Sequence, residues 1–238
     1  AEDGIRDVER SRGLGDVYKR QPRHAISLVI VFTAAVIMVA GCGGGGGGDS
    51  PATSYLPMEV GNTWDYTLTL APGLVPAQIQ DGQQFPYHES VIGVAELQGT
   101  SYYVVQARRE AVGEYPERIW QQFRREDREA IYARIGDPAY DLPILKLPPQ
   151  RGDSWADPVF PEVMFTTAAV AEQVTVPAGT FTCVRVDQEY DTTVEGSDSP
   201  VHVTVRSWYA RGVGLVRDET LEDNIVTSTL ELESYHVQ

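Results

Sequence analysis

Cysteine and histidine are scarce. The chain of 238 residues holds two cysteines, Cys42 and Cys183, and four histidines, His24, His88, His202 and His236. The histidines are scattered, and none sits in a ligand spacing such as H-E-x-x-H, so a zinc site has no support. No glycine-rich loop leads from a strand into a helix, which leaves nucleotide binding without a signal. Positive charge is also short. Nineteen Lys and Arg stand against 34 Asp and Glu, a net charge of −15. Such a surface repels nucleic acid and anionic head groups. Acids cluster at 195–198 and 218–223 beside Gly or Asn, but neither stretch fits the D-x-[DN]-x-[DN]-G calcium pattern, and solvated loops account for both. Of apolar runs, the chain has one that stands out, Ala25 to Ala40, sixteen residues without charge behind Arg23 and His24. A membrane-spanning helix needs about 20 such residues. A signal-peptide core takes about 7–15 behind a positive flank, with small residues at the cleavage site.

What is present begins where that run ends. Val39-Ala40-Gly41-Cys42 precedes six consecutive glycines. The tetrad resembles the lipobox of bacterial lipoproteins, in which an aliphatic residue and two small residues precede the cysteine. The resemblance implies export, cleavage between Gly41 and Cys42, and acylation of the Cys42 thiol and its new amino group. The membrane is then a partner through those acyl chains. Each buried methylene contributes about 0.8 kcal/mol, and one chain alone holds only marginally. Two or three chains release slowly. Residue 43 is Gly rather than Asp, which by the sorting rule of enteric bacteria implies the outer membrane, facing the periplasm. With Cys42 acylated, Cys183 has no partner for an internal disulfide. Residues 43–54 form a Gly-rich tether of about 19 Å root-mean-square span. Residues 1–21 carry acids and glycines unsuited to a signal n-region and read as translated adapter sequence. The expected organisation is therefore 1–21 non-native, 22–41 signal peptide, 42–54 lipidated Cys and tether, and 55–238 a single domain, with no cofactor.

Within that domain one pattern occurs twice. Leu56-Pro57-Met58-Glu59-Val60-Gly61-Asn62-Thr63-Trp64 and Leu147-Pro148-Pro149-Gln150-Arg151-Gly152-Asp153-Ser154-Trp155 both fit L-P-x-x-x-G-[ND]-[ST]-W. Pro ends what precedes it, Gly with Asn or Asp makes a turn, and Trp buries a ring as a strand begins. Two similar halves, or two equivalent corners of one sheet, are expected. Most of the remainder alternates with period two, as in Val201-Val203-Val205 and Ser228-Leu230-Leu232. Gln98-Gly99 signals a hairpin between His88–Leu97 and Thr100–Arg109. The stretch from Pro116 to Ile135 fits either a helix or a hairpin of 118–125 and 130–135, and the β neighbours favour the hairpin. A lone thiol is usually buried, but on the strand from Thr182 to Tyr190 Cys183 shares its face with Arg185 and Asp187, so burial shallower than usual is expected.

Three segments resemble a widespread set of uncharacterised bacterial secreted proteins and lipoproteins. They are Leu56-Pro57-x-x-x-Gly61-Asn62-x-Trp64-x-Tyr66, Val176-Pro177-Ala178-Gly179-Thr180-Phe181-x-Cys183, and Trp208-Tyr209-Ala210-x-Gly212-Val213-Gly214-Leu215-Val216. The resemblance implies a β-rich envelope domain, distantly similar to the curved half-barrels of periplasmic lipoprotein carriers. Related chains often have two residues between the Phe and the Cys where this one has one, which would turn the thiol to the other strand face. The expected fold is all-β: an antiparallel meander of about nine to eleven strands forming a strongly curved sheet, half-barrel or sandwich. The expected function is a non-catalytic binding module of the cell envelope, for a hydrophobic ligand or a protein partner. One alternative is a structural or interaction subunit. The other is a hydrolase centred on Ser154, since Gly152-Asp153-Ser154 resembles an esterase block, with Glu233 and His236 as acid and base. The repeated corner explains the same residues without chemistry.

Overall fold

The computed structural model describes residues 54–71, 82–136, 139–193 and 199–238. Gly41, Cys42, the tether up to residue 53 and the acidic stretch 195–198 lie outside the described residues. Twelve strands follow one another: β1 (Thr63–Leu70), β2 (Gln83–Leu97), β3 (Thr100–Arg109), β4 (Arg118–Glu126), β5 (Ala130–Ile135), β6 (Tyr140–Lys146), β7 (Ser154–Ala156), β8 (Met164–Val176), β9 (Gly179–Thr193), β10 (Pro200–Ala210), β11 (Gly214–Glu222) and β12 (Ile225–His236). They form one antiparallel sheet in the order β6-β5-β4-β3-β2-β1-β12-β11-β10-β9-β8-β7.

That order is a meander taken round a circle. Each strand except β6 pairs with its successor, and β12 returns to β1 through the ladder from Thr63↔His236 to Leu70↔Ser228. The seam between β6 and β7 has no ladder. Side chains bridge it instead. Trp155 Nε1 donates to Pro143 O at 2.8 Å, Tyr140 Oη donates to Asp157 Oδ2 at 2.9 Å, and Lys146 stands over the Trp155 ring. The sheet is thus strongly curved but not closed. The described residues hold twelve strands, where about nine to eleven were expected. One of them, β7, is only three residues long, too short to show a period.

Local sequence accounts for the turns. Gln98 and Gly99 both have positive φ, 54° and 79°, as do Asp223 and Asn224 at 47° and 67°. Two left-handed residues in succession match the twist of a tight hairpin. The ambiguous stretch is the hairpin β4–β5. Asp127 Oδ1 turns it by accepting from the backbone N–H groups of Glu129 and Ala130. Both free edges are protected against further pairing: β7 by its shortness and β6 by Pro143, which has no N–H to offer.

Two apolar clusters form the core. One gathers Trp64, Tyr66, Tyr87, Val105, Val176, Cys183, Trp208 and Leu232. The other joins Ile131, Leu142 and Leu145 of β5 and β6 to Val184, Val186 and Tyr209 of β9 and β10, with Leu56, Trp155 and Phe165. Strands near opposite ends of the order meet there, which is the direct sign of curvature. These clusters correct the expectation for Cys183. It is fully buried, at 0% exposure, because β9 is covered on both faces. Val184 and Val186 face β5 and β6, while Cys183 packs with Trp208, Ala210 and Val213. Burial raises its thiol pKa to about 12, so it is an inert core residue.

Candidate functional site

The two copies of the repeated pattern make the same corner. Asn62 N donates to Glu59 O, and Asp153 N donates to Gln150 O. Gly61 N and Asn62 O both bond to Val91, while Gly152 N and Asp153 O both bond to Thr167. Gly61 and Gly152 have φ of 102° and 91°, a conformation that side chains disfavour. Each Trp indole donates to a distant carbonyl, Trp64 to Val213 O and Trp155 to Pro143 O. Gly214 leaves room for the first indole, since a Cβ there would stand 3.2 Å from Trp64 Nε1. These corners, with the turns at 98–99, 127–129, 177–178 and 211–213, lie at one end of the sheet. The turns at 110–117, 157–163 and 223–224 lie at the other.

Cross-strand partners point to the same face. Following register from Tyr66 through Tyr87 to Arg109, and from Trp64 through Glu89 and Ala107 to Trp120, identifies the concave face. Tyr66, Tyr87 and Trp120 stand ring to ring along it, at 5.8 and 5.7 Å. Beside them lies a buried ion pair. Arg124 donates to both oxygens of Glu89, at 2.9 and 2.8 Å, and Tyr87 Oη adds a third bond to Glu89 at 3.0 Å. Arg124 also donates to Gln122, whose Nε2 is buried without a partner among the described residues. Burial opposes the charge on Arg124, but Glu89 outweighs it and holds the guanidinium pKa above its ordinary range. Burial raises the phenols of Tyr66 and Tyr87, with the Glu89 charge adding to it.

The facing wall is built by β10 and β11. Ser207 pairs with Asp218, and Ser207 Oγ donates to Asp218 Oδ2 at 2.6 Å. Ser207 also registers with Val186 of the second cluster, and Asp218 with Leu230, so both side chains look into the concavity. Burial raises the Asp218 pKa to about 6, against the hydrogen bond from Ser207, with the Glu219 charge adding a little. Protein surrounds Asp218, yet it keeps some accessible surface. Tyr66 reaches across by donating to Leu215 O at 3.1 Å. Around these groups Tyr103, Trp120, Val205, Leu215 and Leu230 are only half-buried although they share the concave face.

The residues singled out from sequence fall elsewhere. Ser154 is exposed at the start of β7, and His236 ends β12 opposite Thr63. These strands are five places apart in the sheet, and Ser154 has no histidine or carboxylate partner among the described residues. His88 lies on the convex face, between Asp65 at 2.6 Å and Glu110 at 3.2 Å, and His202 meets Asp191. The stretch 218–223 does not converge: Asp218 faces inward, while Asp223 sits in a turn and accepts from His202 N. Glu89 and Arg124 were not anticipated, and the reading of 218–223 as a solvated loop is corrected, because Asp218 to Glu222 belong to strand β11. A signal was present, since Glu89 falls in the apolar phase of Phe85, Tyr87 and Val91.

Comparison with known proteins supports this architecture. Residues 167–232, from β8 to β12, match the DUF3108-like family. A candidate exported protein of Bacteroides fragilis with a YmcC-like fold is 16% identical, with a TM-score of 0.52 over 77% of this chain and 99% of that one. A candidate lipoprotein from Parabacteroides distasonis is 16% identical, with a TM-score of 0.54 and the same coverage. At these identities the likeness is one of fold. No curated protein matches the sequence.

Proposed function

We propose that the chain is a bacterial envelope lipoprotein, anchored through acyl groups on Cys42, whose β domain is a non-catalytic module that holds a hydrophobic ligand against its concave face. The observation that carries this reading is the accessible surface left on Tyr103, Trp120, Val205, Leu215 and Leu230. A curved sheet whose inner apolar side chains retain accessible area is suited to take up apolar matter. The lipobox and glycine tether support the anchor, and the fold-mates described as exported protein and lipoprotein agree with it. Ser154 has no histidine or carboxylate partner among the described residues, so nothing in the geometry favours the hydrolase alternative.

The test is expression with the native leader in a diderm bacterium. The wild-type chain should enter the membrane fraction and incorporate labelled acyl groups, and Cys42→Ala should lose both. Native mass spectrometry of the membrane-extracted protein should then show a lipid-sized, non-covalent adduct. Retention of acylation by Cys42→Ala would sink the anchor. A second reading, an interaction subunit, is favoured by one feature. Val159 and Phe160 are about half exposed, at 51% and 50%, on a loop that Asp157 Oδ1 pins through their backbone N–H groups. Crosslinking from position 160 to one reproducible envelope protein, without any lipid adduct, would favour that reading.

A further inference from the structure

The two ionic features of the concave face differ in one respect that bears on the ligand. Glu89 has its cation, because Arg124 holds both its oxygens. Asp218 has none. The groups that face it are Ser207 and Tyr209 of β10, Tyr66 of β1 and Leu230 of β12. Arg217, its neighbour in sequence, points to the other face, where it lies over Trp208 and meets Glu219 and Glu231. Asp218 Oδ2 accepts from Ser207, and Oδ1 has no hydrogen-bond partner among the described residues. Nor is Oδ1 among the polar atoms sealed from solvent without a partner. It therefore keeps accessible surface, on a side chain that register places on the concave face.

A carboxylate in an apolar concavity, with one oxygen free and no cation beside it, is an incomplete ion pair. The phenols of Tyr66 and Tyr209 feel its charge, and aromatic rings also attract cations. We propose that Asp218, oriented by Ser207, recognises the protonated amine of an amphiphilic ligand whose apolar part lies against Trp120, Leu215 and Leu230. The ammonium donates to Oδ1, and Ser207 keeps Oδ2 occupied so that the free oxygen faces the ligand. Arg124 does not repel the amine, because Glu89 neutralises it. The overall negative charge of the protein draws the same class of ligand toward it. This inference rests on the binding-module reading and names its ligand class.

The experiment uses the full chain carrying Cys42→Ser, which keeps acyl groups off the protein. Hexylamine, hexanol and hexanoate are titrated calorimetrically at pH 7.5, where Asp218 is mostly ionised. Hexylamine is expected to bind about tenfold or more tightly than hexanol, with hexanoate weakest, as for a charge-assisted hydrogen bond gained or lost. Asp218→Asn should erase the preference for the amine and leave hexanol binding unchanged. Ser207→Ala should lower amine affinity only a few-fold. Urea midpoints of the variants show that each is folded. Equal binding of the three probes, or an amine preference that survives Asp218→Asn, overturns the proposal and leaves the binding module standing. Failure of all three probes to bind overturns both.

Discussion

The corner at Gly61–Trp64 and the corner at Gly152–Trp155 share sequence, backbone hydrogen bonds and an indole anchored on a carbonyl, yet the sheet treats them differently. The first starts β1, which is paired on both sides by β2 and β12. The second starts β7, which is paired on one side only. Asn62 is fully buried, donating to Pro57 O and accepting from Gln238 N. Asp153 makes no side-chain hydrogen bond among the described residues. The local code sets the turn and the Trp. Whether the ladder continues depends on what arrives from elsewhere in the chain. Interior charge follows the same divide: β2 and β4 carry a matched pair, and β11 carries an unmatched acid.

The largest expected effect tests the corners themselves. Trp64→Ala should cost about 3–5 kcal/mol, as for a large ring removed from a packed core. Trp155→Ala should fall at the low end of that range, about 3 kcal/mol, because the open seam can collapse around it. Urea midpoints compare the two, and equal losses would erase the distinction. The next effect concerns the unmatched acid. Asp218 titrates at about 6 when folded and near 4 when unfolded. A raised acid pKa means that the ionised form weakens the fold, so this group's contribution improves as pH falls from about 7 to 4. Asp218→Asn should therefore stabilise the protein at pH 8, by up to about 3 kcal/mol, with the gain shrinking toward pH 4. A variant that is less stable than wild type at pH 8 would contradict the assignment.

Two smaller effects sharpen the contrast. Asn62→Asp removes a buried donor and sets a carboxylate against Pro57 O, so a loss of about 2–3 kcal/mol is expected. The mirror change, Asp153→Asn, should alter stability by less than about 0.5 kcal/mol. Thermal melts of the two exchanges decide whether the corners are interchangeable. Tyr140→Phe removes the hydrogen bond to Asp157 and should cost about 1 kcal/mol. Hydrogen exchange should rise along β6 and β7 while the β1–β12 ladder stays protected.

The strands, the hairpin at Gln98-Gly99 and the equivalence of the corners were legible because period two and turn chemistry are local. The burial of Cys183 was not. Alternation on β9 shows which residues share a face, but not that a second layer covers the polar one. The bulges of β8 between Thr167 and Glu172 belong to the same class of long-range fact. The concave site lay in plain view as charges in apolar phase, at Glu89 and Asp218. Their pairing state depends on strands far away in sequence, and no window around either residue contains it.

The ladder between β1 and β12 has a consequence for how the protein is made. Every other strand pairing joins neighbours in the chain, so hairpins can assemble as the polypeptide emerges. β1 receives its second partner only when the last strand has been delivered. Until then a strand carrying Trp64 and Tyr66 presents an open edge. Non-local pairing of this kind is slow and exposed to misassociation. Strand β12, the twelve residues from Ile225 to His236, therefore acts as the latch of the whole sheet, and the time before it arrives is when the nascent protein most needs protection.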